Sequence, residues 1–99
     1  MDKLKKYKFI EQLKSLPFVD EVWLYGSRAR GDNEERSDID LAIVCPKATD
    51  KNWYSLLDII ENADTLLKID CVRFDKLSES KFKKRIKQEK VKLWLMKNY

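Results

Sequence analysis

Residues 38–45, DIDLAIVC, constrain this 99-residue chain more than any other stretch. Residues 41–45 are its longest unbroken apolar run, and Pro46 stops it. A short run of this kind reads as a strand. Strand side chains alternate between faces, so Asp38 and Asp40 project together while Ile39, Leu41 and Ile43 point the other way. A membrane span needs about 20 apolar residues, so nothing here is expected to cross a bilayer.

The rest of the pattern arranges itself around that strand. Leu4, Tyr7, Ile10, Leu13 and Leu16 recur at spacing three, one face of a helix that Pro17 ends. Residues 19–25 are rich in β-branched and aromatic side chains and read as a strand broken by Gly26. Residues 27–30 suit a short helix and 31–37 a polar loop. Trp53, Leu56, Leu57 and Ile60 predict a helix over 51–63, and residues 68–74 a third strand. Ser78 suits an N-cap, with Glu79 in the first turn of a helix reaching about residue 88. Residues 91–96 fit either a continuation of that helix or an extended piece. Helices alternating with strands imply an α/β (α+β) fold with a small mixed sheet of three to four strands flanked by helices. Ninety-nine residues suffice for one core, so 1–99 is expected to be a single domain. Residues 1–14 are charged throughout and lack a secretory apolar core, which makes the cytoplasm the expected location.

Composition narrows the chemistry. The chain has no histidine, which excludes imidazole bases and histidine-containing zinc sites. Cys45 and Cys71 lie far apart and read as small buried apolar residues. Catalysis must then use carboxylates, hydroxyls, lysines or arginines, and hard oxygen ligands favour magnesium or manganese. Residues 78–99 hold 8 basic and 2 acidic side chains, against 13 and 15 in residues 1–77. The basic segment fits a solvated helix, and also a surface for nucleic acid or an acidic partner.

The informative residues lie between Leu24 and Val44, LYGSRARGDNEERSDIDLAIV. Gly26 and Ser27 fall where a strand gives way to a helix. Glycine admits a close ligand, free N–H groups face an anion, and Arg28 and Arg30 add positive charge. Alone, Gly-Ser also fits an ordinary turn with a serine cap. Two carboxylates as close as Asp38 and Asp40 raise each other's pKa unless a cation lies between them. Alone, the pair also fits an exposed strand end. Asp70 interrupts an otherwise apolar strand, and could join the pair if the two strands are neighbours, or simply pair with a cation such as Arg73. Three carboxylates can hold two metal ions about 4 Å apart, as phosphoryl transfer uses them.

This stretch resembles the signature of the DNA polymerase β-type nucleotidyltransferase superfamily, and within it the minimal nucleotidyltransferase branch. The pattern G-S-x-A-R-G, five residues, S-D-x-D-L is filled by Gly26, Ser27, Ala29, Arg30, Gly31, Ser37, Asp38, Asp40 and Leu41. Residues 68–72 resemble the strand that carries the third carboxylate, and 77–86 the closing helix. Lys90 stands where the branch often has glycine. The resemblance implies a polymerase β palm-like fold. It implies that Asp38, Asp40 and Asp70 are catalytic and ligate two Mg2+ ions (Mn2+ as substitute). Gly26 and Ser27 would bind the β- and γ-phosphates of ATP. Arg30 belongs to the same nucleotide-binding loop and is expected to brace it against a carboxylate. Larger members add a domain for the acceptor, so the acceptor site here is expected from a second chain. In the minimal branch that chain is commonly a small helical HEPN-type protein, the two forming a toxin–antitoxin pair in which the transferase attaches AMP to its partner. The alternatives are a non-catalytic nucleotide-binding or partner-neutralising module of the same fold, and a transferase acting on nucleic acid.

Overall fold

The computed structural model describes residues 7–95. The apolar run forms β2 (Ile39–Val44), an inner strand of a four-stranded sheet ordered β3-β2-β1-β4. On one side β2 pairs antiparallel with β1 (Glu21–Tyr25), and on the other parallel with β3 (Ile69–Arg73). β4 (Val91–Leu95) runs antiparallel along the free edge of β1. The sheet is therefore mixed, as expected. A parallel pair needs a crossover, which α3 (Asp50–Glu61) supplies between β2 and β3. The other helices are α1 (Lys8–Lys14), the single turn α2 (Ser27–Arg30) and α4 (Lys81–Glu89), with a 3-10 turn at Phe74–Lys76. No helix among the described residues is long and apolar enough to cross a membrane.

Both faces of the sheet are covered. Ile39, Leu41 and Ile43 are fully buried with Val22 and Leu24 against Phe9, Ile10 and Leu13 of α1 and Leu56 of α3. Burying each such side chain contributes roughly 1.5–3 kcal/mol. The opposite face is smaller. There Trp23, Tyr25, Ala42 and Phe74 meet Ile86 of α4, with Trp23 and Phe74 ring centroids 4.6 Å apart. Alternation places Asp40 on the face of Ala42, and Asp70 on the face of Val72, so both carboxylates share the α4 side of the sheet.

Local chemistry fixes the helix starts. α3 begins with a capping box, Thr49 and Asn52 each bonding the other's backbone N–H. α1 has no cap of its own. Asp64, from the loop after α3, accepts the N–H groups of Lys8 and Phe9 at 3.1 and 3.2 Å. The N-cap of α4 is Ser80, whose side chain accepts from Lys83 N at 3.1 Å, and not the expected Ser78. Ile86 of this helix packs against the sheet, and Glu79, just before it, pairs with Lys83 at 3.2 Å. β1 begins at Glu21, two residues later than expected, although Asp20 N still bonds Val44 O at 2.8 Å. The open alternative at residues 91–96 resolves as a strand, because the edge of β1 offers backbone groups that need partners. Leu4 and Met96 lie outside the described residues. Cys45 is buried and Cys71 partly buried, both as free thiols.

Candidate active site

Strand register assembles the site. Tyr25, the last residue of β1, stands opposite Asp40, and Asp40 stands level with Asp70 of β3. Three adjacent strands thus set Tyr25, Asp40 and Asp70 in a row on the α4 face. Burial holds the Asp40 carboxyl above its ordinary pKa of 3.8, and the charges of Asp70 and then Asp38 raise it further, against a lowering by Arg30. The Tyr25 phenol is pushed up to about 12, first by burial and then by Asp40 and Asp70. Asp38 precedes β2 and is half-buried, near enough for its charge to act on Asp40. Asp70 is 46% exposed and faces Lys68 at 3.7 Å. At that exposure the pair adds little to stability.

The chain leaves β1 directly into the second part of the site. Gly26 has φ +77° and ψ −158°, a conformation open essentially to glycine alone. A Cβ there would collide with Asp40 Oδ2 and lie 3.2 Å from Asp40 Cγ. Gly26 is thus required by its backbone angle and by the packing of Asp40 against it. Ser27 opens α2 and does not cap it, because Gly26 is the N-cap and no side-chain capping bond exists. Among the described residues the Ser27 hydroxyl has no hydrogen-bond partner. Its own N–H and that of Arg28 belong to the first turn, whose donors find no partner inside a helix. Three donors therefore gather beside Asp40. Gly31, at φ +86°, ends α2 in the left-handed region with open space around it.

Both arginines of the motif are engaged in holding loops. Arg28 donates to Ser37 O from Nε and NH2 at 3.1 and 2.9 Å, and to Glu35 O at 3.0 Å, pinning the loop that leads into Asp38. Arg30 pairs with Asp32 through Nε and with Glu89 of α4 through NH1, each at 3.0 Å. Glu89 also accepts Gly26 N at 3.1 Å. Sequence reasoning passed over Tyr25 and Glu89. Alternation along β1 puts Tyr25 on the face of Trp23, but only the antiparallel register with β2 sets it opposite Asp40. Nothing local marks Glu89, which reaches the motif only through tertiary packing.

The donor set is hard oxygen, from Asp38, Asp40 and Asp70, which fits a hard divalent ion such as magnesium. The carboxylates do not form a ready cage. Among the described residues no three His, Cys, Asp or Glu side chains converge into a group that could hold a metal ion. Asp40 and Asp70 stand level, with Asp38 beside them in sequence.

The family model of the polymerase beta nucleotidyltransferases matches residues 7–98. No curated protein matches the sequence. Among solved structures, a protein of Sulfolobus solfataricus assigned as a nucleotidyltransferase is 26% identical, with a TM-score of 0.58 over 94% of this chain and 78% of that one. A chain of a toxin–antitoxin complex solved with AMP-PNP is 21% identical, with a TM-score of 0.61 over 90% and 73%. A chain of a complex between tri-AMPylated Shewanella oneidensis HEPN toxin and MNT antitoxin is 18% identical, with a TM-score of 0.63 over 97% and 74%.

Proposed function

Because the chain belongs to the polymerase beta nucleotidyltransferase family, we propose that it is a magnesium-dependent enzyme of the minimal branch that moves AMP from ATP to a hydroxyl on a HEPN-type helical partner. One observation carries the reading: Asp40 and Asp70 stand level on neighbouring strands beside the Gly26–Ser27 turn. Support for the partner comes from the structural neighbours, which include a chain of a complex between an AMPylated HEPN toxin and an MNT antitoxin. Residues 1–99 act here as a single nucleotidyltransferase domain.

In this reading the N–H groups at the start of α2 and the Ser27 hydroxyl hold the β- and γ-phosphates. Asp38 and Asp40 would hold two magnesium ions, and Asp70 would ligate one of them. Magnesium, when bound, supplies positive charge that offsets the carboxylates and the charge developing on the phosphates. Asp70, 46% exposed on the outer strand β3, takes the proton of the acceptor hydroxyl. The acceptor oxygen bonds to the α-phosphorus, the bond to the β-phosphate oxygen breaks, and pyrophosphate leaves. Arg30 holds the loop through Asp32 and Glu89.

Intact-mass spectrometry of the chain with its partner, ATP and magnesium tests this. The expected result is one or more AMP units on the partner, and none with Asp70→Asn. Efficient transfer by the isolated chain onto RNA or a small molecule would overturn the partner assignment. A partner inactivated without any mass gain would point to neutralisation by contact alone.

A further inference from the structure

Glu89 ends α4, 59 residues along the chain from Arg30, yet its carboxylate is turned onto the motif turn. Oε1 accepts Gly26 N at 3.1 Å, and Oε2 accepts Arg30 NH1 at 3.0 Å. Its side chain is 15% exposed. Electrostatics disfavours a carboxylate here. The C-terminal end of a helix is negative, and Gly26 itself abuts the Asp40 carboxylate. The placement persists because Arg30 and the Gly26 N–H both hold it, and because Arg30 in turn grips Asp32 at the far end of the turn. Glu89 therefore links both ends of the 26–32 segment to α4, the helix that covers the aspartate face. It also removes the Gly26 N–H as a donor to any ligand, leaving those of Ser27 and Arg28 and the Ser27 hydroxyl.

We propose that Glu89 is a positioning residue for the triphosphate: it clamps the Gly26–Ser27 turn at a fixed separation from Asp40, so that the remaining donors meet the β- and γ-phosphates while the carboxylates meet the α-phosphate. This rests on the nucleotidyltransferase reading above. A clamp and a merely nearby negative charge act in opposite directions. Removing a nearby charge would tighten binding of a polyanion, whereas releasing a clamp weakens it. The clamp acts on the outer phosphates, so it governs the preference for ATP over AMP and leaves AMP affinity unchanged.

The test is calorimetric titration of the full chain with magnesium-ATP and with AMP, in wild type, Glu89→Gln and Glu89→Ala, with Glu79→Gln, just before the same helix, as a charge control. Glu89→Gln keeps an acceptor for Gly26 N and loses the charge toward Arg30. Losing one charge-assisted bond corresponds to about a tenfold effect. The expected result is ATP affinity falling about tenfold in Glu89→Gln and further in Glu89→Ala, AMP affinity within about twofold, and Glu79→Gln unchanged. Arg30→Lys, which loses the guanidinium fork, should reproduce the selective loss, and supports or sinks the clamp if the Glu89 variants do not fold. Unchanged or tighter ATP binding in Glu89→Gln, or equal loss of ATP and AMP, overturns the clamp while the nucleotidyltransferase reading stands. A wild-type chain that binds no magnesium-ATP overturns both.

Discussion

Gly26 and Asp40 make one unit. The glycine exists where it does because its backbone angle excludes other residues and because the Asp40 carboxylate fills the space of a Cβ. Gly31 shares the positive φ but has open space around it. The two glycines therefore separate strain from function. Gly31→Ala should cost about 1–2 kcal/mol in thermal unfolding, the usual penalty of a left-handed conformation, and leave nucleotide affinity intact. Gly26→Ala should cost at least as much and also abolish triphosphate binding, because Asp40 must move; calorimetry on both variants distinguishes the cases. The Asp40 carboxyl gives a second residue-scale expectation. Its folded pKa is raised by burial and by Asp70 and Asp38. A raised pKa means that protonation favours the folded state, so stability from this group is present at low pH and lost as pH rises through the folded pKa. Without metal, Asp40→Asn should melt above wild type at neutral pH. The gain should close as pH falls through the raised pKa toward the ordinary 3.8, where wild-type Asp40 is neutral too. A gain independent of pH would mean that charge is not its cause.

At the scale of elements, α4 connects the fold to the site. Ile86 docks it on the small core, Glu89 reaches the motif turn, and Phe82 packs edge-on against Tyr25 at 5.9 Å. Its start is set by Ser80. Ser80→Ala should destabilise the chain by about 1 kcal/mol, the typical value of an N-cap, while Ser78→Ala, on an exposed residue, should stay within about 0.5 kcal/mol. Denaturant midpoints read both directly. Two serines two residues apart offer similar local signals, and it is Ser80 whose hydroxyl accepts the Lys83 N–H. The same holds at the end of the chain. Residues 91–95 are apolar enough for helix or strand, and the unpaired edge of β1 decides for strand. By contrast α2 was legible residue for residue, because glycines at 26 and 31 bracket it.

For the molecule as a whole, folding and ligand binding should be coupled through the carboxylate row. A ligand that binds only the folded state stabilises it by about 2.7 kcal/mol at a hundredfold excess over its Kd. Magnesium with ATP should therefore raise the melting temperature, and the double variant Asp38→Asn with Asp40→Asn should lose the rise; equal stabilisation in the double variant would refute the site. The sequence determined the strand that the structure places at 39–44, one residue shorter at each end than expected, the alternation that puts Asp40 on one face and Ile39, Leu41 and Ile43 on the other, and the Gly26–Ser27 break after β1, because these follow from local angles and a period of two. The family pattern was legible for the same reason: its residues are close in the chain. What the tertiary structure decided is everything carried by long separations. It set Asp70 level with Asp40 through parallel register, placed Tyr25 beside them, and brought Glu89 across 63 residues to Gly26. A residue's neighbours along the chain carry no record of such contacts, because they depend on which faces the packed helices and the sheet bury together.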